Sequence, residues 1–161
     1  MSASAQTVIT ALNQRYFLDF PQEAARHLEN LPTEEIGALL ARYPQHAAVR
    51  PWQRLTPDGA RGVLDHVAPE LAAYLLTESS PVAVAAVLAQ CSPEEQSRFF
   101  QMLDAQVALE LRELLAYPES TAGRIMDPVI HPIRAESSVA EAHERLRTAK
   151  QRGLRELFVV D

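Results

Sequence analysis

The sequence is poor in the residues on which most catalytic sites depend. It has one cysteine, Cys91, and five glycines in 161 residues. A lone thiol forms no intrachain disulfide and fits a reducing compartment. So few glycines supply no phosphate-cradling loop: G-x-x-x-x-G-K does not occur, nor does the nucleophile turn G-x-S-x-G. The histidines His27, His46, His66, His131 and His143 include no pair at metal-ligand spacing, and none lies near Cys91 in sequence. These absences argue against an enzyme.

A membrane-length apolar run is also missing. The most apolar window, LAAYLLTESSPVAVAAVLAQCSP, is interrupted by Glu78, Pro81 and Pro93. It falls short of the roughly 20 uninterrupted apolar residues that mark a membrane helix. The opening MSASAQTVITALNQRYF has no basic flank before a long apolar core, so it does not read as a signal peptide. Basic charge is scarce in the first three quarters of the chain: residues 1–117 hold 8 Arg against 14 Asp plus Glu, whereas residues 118–161 hold 7 of each sign. An acidic leading domain is a poor binder of phosphate backbones, which excludes a nonspecific nucleic-acid partner. Its densest acidic pairs, Glu34–Glu35, Glu94–Glu95 and Glu110–Glu113, fit helix starts and exposed faces.

Proline is what the chain does have. Prolines stand at 57, 69, 81 and 93, each 12 residues after the last, and Pro32 and Pro44 keep the same interval. Apolar positions keep it too. Six residues after the four prolines come Val63, Leu75, Val87 and Phe99; seven after come Leu64, Leu76, Leu88 and Phe100; ten after come Val67, Ser79, Cys91 and Leu103. A further unit begins at Ala105 without proline and continues through Leu109, Leu111, Leu114 and Leu115. Proline suits the first position of a helix, where its missing N–H has no partner to lose, and it holds the residue before it extended. Thr56, Ser80 and Ser92 are placed to cap the helices that follow. Each unit is therefore a helix of about two and a half turns, roughly 14 Å long. Such helices are stable only when stacked on neighbours. The spacing predicts a right-handed superhelix of short helices, with the least regular turn around Pro51, where Trp52 packs over the break.

The grammar changes at YPESTAGRIMDP. Pro118 ends the last repeat helix, TAG offers flexible backbone, and IMDPVIHPI reads as extended. AESSVAEAHERLRTAKQRG is an amphipathic helix capped by Ser137 or Ser138, with a stripe of Val139, Ala142, Leu146 and Ala149 and a stop at Gly153. LRELFVVD reads as a strand.

LLAYPESTAGRIMDPVIHPIRAESSVAEAHERLR resembles the junction of MgtE-family magnesium transporters, where a helical N domain runs into a tandem CBS module. Leu115, Tyr117, Glu119, Thr121, Ala122, Gly123 and Met126 match the junction, and Val139, Glu141, Ala142, Val159, Val160 and Asp161 match the start of a CBS motif. The resemblance implies an all-α superhelix followed by a partial α/β CBS segment, divided as residues 1–117, a junction at 118–127, and a truncated CBS start at 128–161. It implies the cytosolic regulatory region of a homodimeric Mg²⁺ transporter on the cytoplasmic side of the cell membrane. The implied partners are the rest of the CBS module and a membrane pore domain of the same protein, and packing against the CBS module would gate transport. The implied cofactor is Mg²⁺. The sequence departs from the family at the N-domain ligands. Strings such as A-A-E-V-L and D-D-A-A-D-L-L become ARGVL and PVAVAAVL, placing Gly62, Val82, Ala83, Ala85 and Ala86 where carboxylates would stand. At most weak Mg²⁺ binding is expected of this domain. A helical-repeat interaction module of a soluble CBS-containing signalling protein is the alternative, and the sequence downstream of Asp161 separates the two. Because the CBS motif is only begun, its strands are expected to present unpaired edges, with residues after about 127 disordered or paired with another copy.

Overall fold

The computed structural model describes residues 3–118, 120–126, 132–148 and 158–160. Its helices are α1 (Ala3–Asp19), α2 (Pro21–Leu28), α3 (Thr33–Leu40), α4 (Gln45–Trp52), α5 (Pro57–Leu64), α6 (Pro69–Glu78), α7 (Pro81–Leu88), α8 (Pro93–Gln101), α9 (Ala105–Ala116), α10 (Ala122–Ile125) and α11 (Val139–Thr148). Two short strands, β1 (Ile133–Arg134) and β2 (Val159–Val160), complete the described elements. No helix among the described residues is long and apolar enough to cross a membrane.

The proline repeat builds the helices as its spacing predicts. Pro57, Pro69, Pro81 and Pro93 each open a helix, and the residues before them, Thr56, Ala68, Ser80 and Ser92, are extended with ψ between 130° and 160°. This is the conformation that a following proline imposes. In α3 and α4 the proline sits one place earlier, as the cap itself, so Thr33 and Gln45 are the first helical residues. Most helices then close on a tightened last turn, such as Leu55 N to Trp52 O at 3.1 Å and Cys91 N to Leu88 O at 3.1 Å. Of the three expected hydroxyl caps two form. Thr56 accepts from Gly59 N, and Ser92 and Glu95 make a reciprocal capping box, but Ser80 makes no side-chain cap bond.

Most helices of the stack lean on the one two places along. α3, α5, α7 and α9 form one row, α2, α4 and α6 another, and α1 packs on α2 and α4. The shared core is the apolar register of the repeat: Val63, Leu64, Leu75, Leu76, Val87, Leu88, Phe99 and Phe100 are all buried. At the tenth position Ser79 and Cys91 are buried, while Val67 and Leu103 are half-buried. In the last unit Leu111 and Leu114 enter the core, whereas Leu109, counted in the apolar pattern, is half exposed. Trp52 is fully buried behind Pro51, and its Nε1 donates to Ala60 O at 3.2 Å, tying the irregular end of α4 to α5.

Beyond α9 the structure departs from the expectation at three points. TAG is not loose backbone: Ala122 and Gly123 open α10, which packs on α9. The two strands pair with each other in parallel within the chain, Ile133 beside Val159 and Arg134 beside Val160, because α11 returns the backbone between them. Val139 does not join a buried stripe; it is 87% exposed at the start of α11, above the capping box made by Ser138 and Glu141. Glu119, residues 127–131, Ala149, Gly153 and Asp161, all named from the sequence, lie outside the described residues.

Candidate functional site

Three regions stand out, two of them marked by the sequence and one formed only by the fold. The first is the place where carboxylates were expected. Gly62 lies where α5 meets α3, and a Cβ on it would stand 2.7 Å from Thr33 Cγ2, closer than side chains approach. Gly37 meets the turn just after α5, its Cβ position 3.1 Å from His66 O. The two glycines let α3 and α5 come together, and that closeness leaves position 62 no room for an acid. On α7, Ala85 is fully buried, and Val82, Ala83 and Ala86 are half-buried. Among the described residues no three His, Cys, Asp or Glu side chains stand together to hold a metal ion. The five positions supply no side-chain oxygen for Mg²⁺, and Gly62 and Ala85 are hemmed in by helix packing.

The second region is a row of alternating charges across α5 and α8. Arg61 and Asp65 are one turn apart on α5, and Glu95 and Arg98 one turn apart on α8. Arg61 Nη2 donates to Glu95 Oε1 and lies 4.0 Å from Asp65 Oδ2, and Arg98 Nη2 reaches Asp65 Oδ1 at 2.6 Å. The order is Glu95, Arg61, Asp65, Arg98, with no like charges adjacent. Arg98 also lies over the Phe99 ring at 4.7 Å. The Ser92 backbone N–H, and next the Arg61 guanidinium, hold the Glu95 carboxyl below the ordinary range, and Glu95 in return raises Arg61. A depressed carboxyl adds stability above its unfolded pKa, and that contribution is lost as pH falls through the folded value. Burial pushes the nearby Cys91 thiol up, which suits an inert core residue. Sequence reading placed Glu95 at a helix start but missed its partners, because Arg61 and Glu95 are 34 residues apart.

The third region is the junction, where Tyr117 meets Gly123 and Thr121 bonds back to Pro118. The Tyr117 ring lies directly on Gly123, whose Cβ position is 2.3 Å from Tyr117 Cδ1. Thr121 Oγ1 donates to Pro118 O at 2.8 Å and closes the turn between α9 and α10. Arg124, which the sequence did not single out, donates from Nη1 to Leu114 O at 3.0 Å, a second donor on a carbonyl at the end of α9 that already accepts from Tyr117 N. Met126 follows in extended backbone and is partly exposed.

Comparison with known proteins agrees with this architecture. A search of curated proteins finds no match. A solved structure described as the cytosolic domain of the Mg²⁺ channel MgtE in complex with ATP superposes with a TM-score of 0.76 at 24% identity, covering 98% of this chain. This chain spans 66% of that one, and the likeness shows a shared fold. The family model of the MgtE intracellular N domain matches residues 20–120, the whole proline-spaced stack from α2 through α9 and into the junction, so the chain belongs to the MgtE intracellular N domain family.

Proposed function

We propose that the chain is the cytosolic regulatory region of an MgtE-like magnesium transporter, and that it gates Mg²⁺ movement mechanically through its contact with the CBS module. In this reading it performs no catalysis. It works as part of a homodimer on the cytoplasmic side of the cell membrane, with the rest of the CBS module and the pore domain as partners. The single observation that carries the proposal is the build of the junction. Tyr117 on Gly123 and Arg124 on the end of α9 tie α10 to the stack, and in this reading that tie passes displacement of the stack onward. Packing two domains against each other shifts a gate only if the link between them is stiff.

Gly123→Ala tests this. The added methyl cannot coexist with the Tyr117 ring where it lies, so the ring must swing off α10. In the full-length transporter, G123A is expected to blunt closure of Mg²⁺ flux at high internal Mg²⁺ while leaving the open-state flux unchanged. Tyr117→Ala removes the clash, so Y117A and G123A together should be no worse than Y117A alone. Closure that stays as sharp in G123A as in the parent protein refutes mechanical gating through this joint.

A further inference from the structure

The charge row between α5 and α8 does more than decorate a surface. Most helices in the stack are held by apolar contact with the helix two places along, a contact that α8 makes only weakly. α8 is fastened in addition by polar bonds: Gln96 Nε2 donates to Leu88 O at 2.9 Å, and the row ties its first turns to α5. Two carboxylates from different helices approach one nitrogen, Arg61 Nη2. Convergence of carboxylates from separate elements on a single point is what a hard divalent cation asks of a protein. Here the point is filled by a guanidinium carried on the chain itself. Arg61 Nε is buried with no hydrogen-bond partner, so the guanidinium is anchored through Nη2 and its charge goes to the two acids.

We propose that Arg61 is a resident cation: its guanidinium occupies the point on which the carboxylates of Asp65 and Glu95 converge, so that the joint between α5 and α8 needs no divalent ion. A tethered charge does not dissociate, so this joint stays closed whatever the free Mg²⁺ concentration. Together with the closed contact at Gly62, it makes the packing of the helical stack independent of the ion. The proposal concerns the domain's own fold and stands apart from the transport reading.

The test is thermal unfolding of the chain in metal-free buffer with either excess MgCl₂ or NaCl of equal ionic strength. For the parent chain the two salts should give the same melting temperature. Arg61→Met, which keeps much of the stem's packing, should melt about 1–4 °C lower in NaCl, as expected for loss of a partly exposed ion pair. MgCl₂ should restore part of that loss by bridging Glu95 and Asp65, the latter still paired with Arg98 through its other oxygen. Adding Glu95→Gln to R61M should abolish the restoration, and Arg61→Lys, which keeps the charge, should show no difference between salts. If R61M does not fold, E95Q alone serves: it should melt below the parent and respond equally to both salts. A parent chain stabilised by MgCl₂ beyond matched NaCl overturns the proposal. So does an R61M protein that melts as the parent does, or one that magnesium leaves unrestored.

Discussion

Trp52→Ala is expected to cost about 3–5 kcal/mol of folding stability, the largest loss from any single truncation in the stack. The side chain is fully buried and is the largest of the core, so the substitution opens a cavity that short helices on either side cannot fill by collapse. It also leaves the Ala60 carbonyl without its indole donor inside the core. The location magnifies the effect. α4 contains Pro51 in its last turn and so lacks one of its own hydrogen bonds. It nevertheless contacts α1, α2 and α6, so Trp52 secures the element on which the leading end of the stack rests. Trp52→Phe separates the two contributions: it keeps most of the packing and loses only the hydrogen bond and part of the volume, at about 1–3 kcal/mol. Urea unfolding followed by circular dichroism measures both. A loss below about 1 kcal/mol for W52A would mean that α4 is not a structural keystone.

The fold of residues 20–117 was legible because its signals are local. Proline sets φ at the helix start and ψ of the residue before it, and the apolar residues six and seven places on are fixed by the same count. Val63, Leu75, Val87 and Phe99 therefore read as core from spacing alone, and all are buried. Leu109 shows where counting fails. It has the right chemistry, but it stands four places after Ala105, off the face that buries Val107, Ala108 and Leu111, and it is 50% exposed. The junction was legible as a set of residue types, but its mechanics were not. Tyr117 and Gly123 could be named from the sequence, whereas the ring lying on the glycine, and Arg124 reaching back to Leu114 O, exist only once α10 folds against α9. The charge row was hidden for a similar reason. Arg61 and Asp65 look like a solvated i, i+4 pair, and Glu95 looks like a capping residue, which it also is. Only the stacking of the superhelix brings α8 beside α5 and makes one network of them. The same distance effect concealed the reason for Gly62, since Thr33 is 29 residues away in sequence.

That reason makes the second large effect predictable. Gly62→Glu restores, at one position, the carboxylate that MgtE-like sequences carry in A-A-E-V-L. If the missing acid were a neutral loss, the substitution would be harmless or would improve the helix, since glycine inside a helix costs about 1 kcal/mol relative to alanine. The geometry says otherwise. The new Cβ would stand 2.7 Å from Thr33 Cγ2 and 3.2 Å from Thr33 Cβ, so α3 and α5 must separate before any benefit is realised. Thr33 is β-branched and opens α3, so it has little freedom to turn aside. Overpacking of this kind costs about 1–3 kcal/mol. We expect G62E to lose that much even after the propensity gain, as measured by urea unfolding. Thr33→Ala in the same chain should recover most of the loss, because it removes the atom that the new Cβ strikes, and it should do so equally for G62E and Gly62→Ala. Magnesium should not recover it, because the penalty is steric and the oxygen beside position 62, Thr33 Oγ1 at 3.3 Å from the new Cβ, belongs to the side chain it strikes. A G62E chain that is as stable as its parent, or one that MgCl₂ stabilises where matched NaCl does not, would show that α3 and α5 can open to admit a metal ligand.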